Sequence, residues 1–183
     1  MFIELLRARR SVRRFHDRPV EREKIDILIE AMLRSPSSRS LNPWEFVVVT
    51  EKETLVRLSQ AKPHGATFLK NAPLAIVVCA DPTKCDVWVE DCSIASILLH
   101  LAATDLGLGS CWIQIRLREY DAHQMAQEYV AELLGLPERM AVEAIIAIGY
   151  PAEQPTGHVR SSLDDEKVSF EQYGLKERGM NRS

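Results

Sequence analysis

The sequence predicts a single α+β domain in which helices pack against a sheet. Apolar side chains between Glu21 and Arg34 recur at helical spacing, which is typical of a helix with one buried face. Leu74 to Ala80 and Ala141 to Ile148 are continuous apolar runs of strand length. Helices and strands alternate without the regular strand–helix–strand succession of a parallel sheet, so we expect an α+β fold of two or three layers.

In the first half of the chain, polar turn residues separate the predicted elements. An amphipathic helix from Phe2 to Arg9 ends in a basic run. The loop from Ser35 to Pro43 contains two prolines and four serines, a composition that sustains neither helical nor ladder hydrogen bonds. We expect a strand from Glu45 to Thr50 and a second amphipathic helix from Glu51 to Gln60.

The second half contains one helix with almost no polar face. Because residues Val87 to Leu106 are apolar on nearly all sides, this helix must be buried at the centre of the domain or at a subunit interface. An extended segment is expected from Ser110 to Ile115. The helix predicted from Tyr120 to Leu134 is followed by Gly135 and Pro137, which are common signals after a helix end.

The chain turns polar at its C-terminal extension, residues 152–183. Within it, His158 to Leu163 and Lys167 to Phe170 are strand-like. A polar tail buries little of its own surface, so it either dangles or wraps over another surface. With 183 residues, of which 46% are hydrophobic, residues 1–183 are expected to form one domain around one core.

Charge and hydropathy exclude several classes of function. The chain carries 23 lysines and arginines against 26 aspartates and glutamates, and this net charge of -3 gives no overall attraction for nucleic acid or an anionic membrane. No apolar stretch reaches the roughly 20 residues that cross a bilayer. The N-terminus lacks the pattern of a signal peptide, so we predict a cytoplasmic protein. The four cysteines form no Cys-x-x-Cys pair and are expected to be reduced and packed as small hydrophobic side chains.

Glycine-rich nucleotide-binding motifs and hydrolase motifs are absent from the sequence. The basic segment Arg9-Arg10-Ser11-Val12-Arg13 instead suits a phosphate monoester, because guanidinium groups and a hydroxyl donate several hydrogen bonds to it at once. Alternatively, these side chains only complement the negative end of the preceding helix. Near the other end of the chain, His158 and Arg160 form a second basic pair, whose side chains share one face if the tail is extended.

Two further segments combine polar groups with a large ring. Pro36-Ser37-Ser38 and Asn42-Pro43-Trp44 offer hydroxyls, an amide and an indole, although the segment also fits a plain connector with Trp44 in the core. The stretch from Gly107 to Gln114 brings backbone amides next to aromatic and aliphatic side chains, and it also fits a helix stop followed by an edge strand.

Taken together, these four ordered segments resemble the nitroreductase family of flavoproteins, and the resemblance runs from about Arg9 to Phe170. It implies a mixed, mainly antiparallel sheet flanked by helices. It also implies an intertwined homodimer, in which the C-terminal tail wraps over the partner and an FMN binds in each of two interface clefts.

The resemblance also implies which residues hold FMN. The basic segment would clasp the phosphate and the ribityl chain, and the serine-rich loop would reach the flavin of the opposite subunit. This chain has Ser40 where the family commonly has Asn, and Asn42 where Gln is common. The stretch after the second glycine would lie beside the ring and donate a backbone N–H to the flavin N5. The family's contact to the pyrimidine edge falls near residues 62–71. The implied FMN-binding residues are Arg9, Arg10, Ser11, Arg13, Pro36, Ser37, Ser38, Asn42, Trp44, Trp112, Ile113, Gln114, Ile115, His158 and Arg160.

The activity that the resemblance implies is hydride transfer from NADH or NADPH, through the flavin N5, to a nitroaromatic, a quinone or a similar small acceptor. Donor and acceptor would use one site in turn, without a catalytic side chain or a metal. Three alternatives stay open: another flavin reaction on the same fold, such as ene reduction or dehalogenation; an FMN-binding module without turnover; and thiol redox chemistry at Cys85 and Cys92.

Overall fold

The computed structural model describes residues 1–176. In this range, helices and strands alternate in the order α1 (Phe2–Ala8), α2 (Arg22–Leu33), β1 (Trp44–Val49), α3 (Lys52–Leu58), β2 (Leu74–Ala80), α4 (Trp88–Asp105), β3 (Gly109–Gln114), α5 (Ala126–Leu134) and β4 (Ala141–Gly149). Residues 177–183 of the predicted C-terminal extension lie outside the described residues. No helix among residues 1–176 is long and apolar enough to cross a membrane.

The four strands form one sheet in the order β1-β2-β4-β3, and every pair of neighbours is antiparallel. The two apolar runs that predicted strands, β2 and β4, are its central pair and lie in register from Leu74 opposite Ile148. The expected α+β class and the mainly antiparallel sheet are therefore confirmed. The strand β3 lies at one edge of the sheet.

Helices cover both faces of the sheet because successive side chains of the central strands point in opposite directions. On one face, Ala75 and Val77 pack in the same cluster as residues of α3 and α5. On the other face, Ile76 and Val78 pack with residues of α2 and α4. The domain thus has three layers, helices on sheet on helices.

The apolar helix α4 is buried against the sheet along most of its length, as its composition predicts. The side chains of Ile94 and Ile97, however, are 40% and 42% exposed in the single chain. They lie one turn apart on the same outward stripe. One chain therefore leaves part of this helix uncovered.

The helix predicted from Tyr120 begins only at Ala126, so the predicted start of this helix was wrong. Asp121 explains the difference, because its carboxylate accepts hydrogen bonds from the backbone N–H groups of His123 and Gln124 at 2.7 and 3.0 Å. Such local bonds compete with helical ones. The helix then starts where Glu128 accepts the N–H of Met125 at 2.9 Å.

The strand-like fragments predicted in the tail were also wrong. Residues Arg160–Ser162 and Asp165–Lys167 form short 3₁₀ helices. In the first of them, the N–H of Ser162 donates to the carbonyl of Val159 at 3.0 Å, a bond between residues three apart. The alternation of polar and apolar residues here had no neighbouring strand with which to pair.

The segment after α1 runs along the sheet and fixes the geometry of the edge strand β3. Val12 donates its N–H to the carbonyl of Ser110 at 3.0 Å, and Phe15 pairs with Pro151 beyond the end of β4. Gly109 permits this approach, since a Cβ there would lie 2.8 Å from the side chain of Val12. The basic segment is thereby attached to the edge of the sheet.

A polar cluster around Tyr150 ties the same segment to α2. The Tyr150 hydroxyl donates to Glu21 Oε2 at 2.6 Å and accepts from Lys24 Nζ at 3.0 Å. The guanidinium of Arg18 lies 3.9 Å from the centre of the tyrosine ring. The hydrogen bond from Tyr150, with further bonds from the Glu21 backbone and from Arg18, lowers the pKa of Glu21 to about 2.

We expect Tyr150→Phe to destabilise the protein at neutral pH and to have a smaller effect in acid. The folded state holds the Glu21 carboxylate charged more strongly than the unfolded state does. This stabilisation is therefore present above about pH 4.5 and is lost as the pH falls towards 2. Urea midpoints of both proteins at pH 7 and pH 3 measure the effect. A difference that stays constant across this range would contradict the assignment.

Candidate functional site

The basic segment places its side chains around Cys111 of β3. Arg9 and Arg13 lie near enough to the Cys111 thiol to oppose the rise in its pKa that burial causes, and the hydroxyl of Ser11 lies beside the sulfur. The backbone of Ser11 forms an isolated parallel bridge with Ser110. The edge strand and the basic segment therefore form one continuous surface.

Beyond Ser110, the outer edge of β3 is available to a ligand. The carbonyl of Ser110 faces Val12 on this outer edge. Because backbone groups of a strand alternate in direction, Trp112 and Gln114 present their N–H and C=O groups on the same side. The N–H of Ile115 instead donates to the carbonyl of Glu143 at 3.2 Å. Of the predicted N5 donors Ile113, Gln114 and Ile115, Gln114 lies at the open edge, and so does Trp112, which was expected beside them.

The side chains of these two residues fix each other on one face of the strand. Trp112 Nε1 donates to Gln114 Oε1 at 2.9 Å, and Gln114 Nε2 donates to the carbonyl of Arg116 at 3.0 Å. Ile113 is buried in the core on the opposite face. Because its N–H faces β4, Ile113 offers no donor at the open edge and supports the strand through its buried side chain.

Buried polar groups also lie at the far end of this edge. Glu143 is buried opposite Ile115, its Oε2 has no hydrogen-bond partner among the described residues, and burial raises the pKa of its carboxyl. Arg116 Nε lies 4.0 Å away, with its guanidinium 5.7 Å from the centre of the Trp88 ring. The half-exposed guanidinium of Arg116 thus lies at the Ile115 end of the open edge.

Two further cations, Lys62 and Arg118, lie near Arg13 on the Cys111 side of the strand. Lys62 is partly buried, and this burial, reinforced by the nearby guanidinium of Arg118, lowers the pKa of its ammonium group. Arg13 extends over the ring of Phe68 with 6.0 Å between the guanidinium carbon and the ring centre. The sequence indicated only that residues 62–71 belong to the site. The structure identifies Lys62 as the group in that segment that lies near Cys111.

His100 of α4 contacts the start of β3 at Ser110. Its Nδ1 lies 2.6 Å from the hydroxyl of Ser110, and the histidine is 6% exposed. Burial, with a smaller effect of the nearby Arg9, lowers the pKa of His100 to about 4. The imidazole is therefore neutral at pH 7.

The C-terminal tail returns to the basic segment of its own chain. Arg10 donates to the carbonyl of Thr156, and the carboxylate of Glu153 accepts the N–H of Arg13 at 2.6 Å. Arg9, His158 and Arg160 line one groove of about 880 Å³ between α1 and the tail. The two ends of the chain that were predicted to hold a phosphate are thus brought together. The guanidinium of Arg160 meets Asp165 at 2.7 Å.

The predicted loop of Pro36, Ser37, Ser38 and Asn42 lies elsewhere in the chain. The N–H of Ser38 donates to Asp91 Oδ1 at 2.8 Å, near the start of α4. Thr104, near the end of the same helix, lines a cavity together with Arg9. At about 1.5 Å per residue, Asp91 and Thr104 are about 20 Å apart. Pro36 is exposed on this loop, and one chain does not bring it or its neighbours to the basic segment.

The thiols are poor candidates for redox chemistry. All four cysteines are free and buried, as the sequence predicts. Burial raises the pKa of Cys79 to about 12 and raises that of Cys92 well above its ordinary value. Cys85 lies 3.3 Å from a carboxylate oxygen of Asp91, which accepts its S–H. Reactive cysteines need the opposite environment, exposed and electropositive.

Comparison with known proteins identifies the family. The sequence model described as the nitroreductase family matches residues 6–64 and 55–150 of this chain. The chain belongs to the nitroreductase family. A Methanothermobacter thermautotrophicus protein of this kind, provisionally named an NADH dehydrogenase/NAD(P)H nitroreductase, is 36% identical over 174 residues, which cover 93% of this chain and 87% of that protein.

Solved structures agree with this assignment. An FMN-dependent nitroreductase from Clostridium difficile R20291 superposes with a TM-score of 0.92 and 49% identity, covering 93% of this chain and 99% of that one. The NADPH:FMN oxidoreductase of Vibrio harveyi, solved as a complex with NAD+, gives a TM-score of 0.79 and 27% identity, covering 96% of this chain and 79% of that one. This nitroreductase fold therefore extends over nearly the whole chain.

We expect His100 to make this nitroreductase less stable in weak acid. Since its pKa is about 4 in the folded state against an ordinary value of 6.5, the unfolded chain takes up the proton first and stability falls over this interval. The full pKa difference between the folded and unfolded states corresponds to about 3 kcal/mol of unfolding free energy. His100→Asn keeps a polar group towards Ser110 without the titration. Between pH 7 and pH 4, the free energy of urea unfolding should fall more for the wild type than for His100→Asn. Equal losses in the two proteins would show that His100 does not titrate in this way.

Proposed function

We propose that this chain is an FMN-dependent oxidoreductase that transfers hydride from NADH or NADPH to a nitroaromatic, a quinone or a similar small acceptor. The observation that carries the proposal is the grouping of Arg9, Ser11, Arg13 and Lys62 along one open strand edge. The names of relatives support it, among them the FMN reductase [NAD(P)H] of Bacillus subtilis, which is 26% identical over 196 residues.

The donor set fits FMN at both ends of the cofactor. A phosphate monoester requires several charged or hydroxyl donors, which Arg9, Ser11 and Arg160 provide. The pyrimidine edge of a flavin gains negative charge on reduction, and Arg13, Lys62 and Arg118 would lie towards it. When bound, FMN supplies the two-electron chemistry that amino-acid side chains lack.

The residues of this chain would bind and orient the ring. We assign the backbone N–H groups of Trp112 and Gln114 as hydrogen-bond donors from the open edge, because the remaining amides of β3 face β4 or, at Ser110, the basic segment. The bonds between these two side chains keep the edge rigid. The charge of Lys62 would attract a bound anion more strongly than the charge of an exposed lysine, because Lys62 is partly removed from water.

No general acid or base side chain is required in this proposal, and residues 1–176 place no exposed nucleophile–histidine pair at the edge. His100 and Ser110 are within hydrogen-bond distance, but both side chains are buried, that of Ser110 within β3 and that of His100 on α4. One open edge also leaves room for one substrate at a time. We therefore propose a ping-pong mechanism, in which the donor leaves before the acceptor enters.

We further propose that the enzyme is a homodimer. The loop at Ser37 and Ser38 lies about 20 Å from the basic segment along α4, so it can complete a flavin site only in a second copy of the chain. Ile94 and Ile97 on α4 form an exposed apolar stripe near this loop, which a partner would cover. The buried free thiols support the proposed cytoplasmic location.

The decisive experiment is a visible absorption spectrum of the purified protein with FMN, followed by anaerobic NADH and then NADPH. Bound FMN that bleaches and is reoxidised by a nitroaromatic or a quinone supports the proposal. Bound FMN that neither reductant bleaches would favour a binding module. Rapid bleaching with no reoxidation by these acceptors would favour another flavin reaction on the same fold.

We expect Arg13→Ala to weaken FMN binding by about 10- to 100-fold, the effect of losing one hydrogen bond to a charged group. The Arg13 guanidinium lies over the face of Phe68, and its charge helps to lower the pKa of Glu153. Arg22→Ala is a matched control, since that arginine pairs with Asp26 on the exposed face of α2. Quenching of FMN fluorescence measures both affinities. Equal affinities would remove Arg13 from the site.

A further inference from the structure

The loop that is predicted to reach a second subunit is attached to its own chain by one buried carboxylate. Asp91 is 2% exposed, and both of its oxygens are engaged. Oδ1 accepts the N–H of Ser38 at 2.8 Å, and Oδ2 accepts the S–H of Cys85 at 3.3 Å. Asp91 thus joins the start of α4 to the middle of the loop.

The loop needs such an attachment because its backbone is strained. Arg39, Ser40 and Asn42 have φ angles of 54°, 55° and 46°, in the left-handed region that favours glycine. Of the three, only Asn belongs to the residue types that adopt this region readily. Left alone, the segment would relax to ordinary backbone angles.

Other contacts close the loop from the outside. The hydroxyl of Ser37 donates to Asn42 Oδ1 at 2.7 Å and accepts the N–H of Asn42 at 2.9 Å, so the two ends of the turn are joined. Arg39 pairs with Asp86, but both of these side chains are exposed. A surface ion pair holds a strained segment weakly. Asp91 is therefore the buried side chain that holds the middle of the loop, whereas the end of the loop is held by the N–H of Asp81, which donates to the carbonyl of Pro43 at 3.2 Å.

We propose that Asp91 is a positioning residue, which through the N–H of Ser38 holds residues 36–43 in the shape that covers the flavin site of a second copy of the chain. The inference rests on the proposed function and adds a residue to it. Leu41 at the tip of the loop is 41% exposed, and Ile94, one turn after Asp91, is 40% exposed. The attachment therefore lies beside the apolar surface that a second copy would cover.

The test removes one N–H from the loop and leaves Asp91 in place. Ser38→Pro deletes the donor, and proline fits here because Ser37 already has the extended angles φ −139° and ψ 159° and Ser38 is the first residue of a short helix. Ser38→Ala is the matched control, because it removes the same hydroxyl and keeps the N–H. The two variants differ in the bond to Asp91.

We expect FMN to bind Ser38→Pro about tenfold more weakly than Ser38→Ala. Loss of one hydrogen bond to a charged group usually has an effect of about this size. Asp91→Asn keeps an acceptor for the N–H and should bind FMN as the wild type does, whereas Asp91→Ala should behave like Ser38→Pro. Equal FMN affinities for Ser38→Pro and Ser38→Ala would overturn the inference.

Mixed dimers show whether the loop acts on the other subunit. A chain with Arg9→Ala and a chain with Ser38→Pro, carrying different tags, are co-expressed and purified as a heterodimer. If the loop acts across the interface, one site combines the intact Arg9 with the intact loop, and the heterodimer binds one FMN with wild-type affinity. If both sites bind weakly, the loop acts within its own chain and the inference is wrong.

Failure of the inference differs from failure of the proposed function. A wild-type protein that binds no FMN, or that is a monomer at every concentration, would reject the proposed function and the inference with it. A wild-type dimer that binds and bleaches FMN, while Ser38→Pro and Ser38→Ala remain equal, would reject the role of Asp91 alone.

Discussion

The bond between Val12 and Ser110 is the interaction on which the candidate site depends. It attaches the segment after α1 to the outer edge of β3, and it brings Arg9, Ser11 and Arg13 to one strand. The tail then follows, since Glu153 binds the backbone N–H groups of Arg13 and Arg14. Without this pairing, β3 would be a bare edge with unused N–H and C=O groups, and the cations would have no common surface.

The same arrangement explains how a slightly acidic chain gathers positive charge in one place. The cations are gathered at one edge, and Lys62 is partly withdrawn from water, where a charge acts with less screening. His100 is buried behind Ser110 and neutral at pH 7, so it adds no competing charge of its own. Local placement, and not net charge, makes this edge positively charged.

Much of the fold could be predicted from the sequence, because the strongest signals come from burial. The strand Leu74–Ala80 has the predicted bounds, and α2 and α4 differ from prediction by a residue at either end. Elsewhere, local hydrogen bonds made the pattern a poor guide, since the bonds to Asp121 keep the residues before α5 from being helical. The tail adopts 3₁₀ turns against α1, which a pattern of alternating residues does not show.

The site could be predicted only where its residues follow one another in the chain. The basic segment and the stretch around Gln114 are continuous, so their residue types are informative. Lys62 and Arg118 come from separate loops and meet only in the folded chain, so no local motif identifies them. The angles of Arg39 and Ser40 were equally hidden, because neither residue type favours them.

The long helix α4 explains why, in the proposed dimer, each flavin site would need residues of both chains. Its first turns hold the loop through Asp91, and its last turns border the cavity of Arg9. A helix is rigid, so these two halves keep a separation of about 20 Å whatever the loop does. Two copies related by a two-fold axis, packed along the stripe of Ile94 and Ile97, could place each loop at the other chain's basic segment. The exposed stripe and the proposed sharing of each site between two chains are therefore two consequences of the same helix.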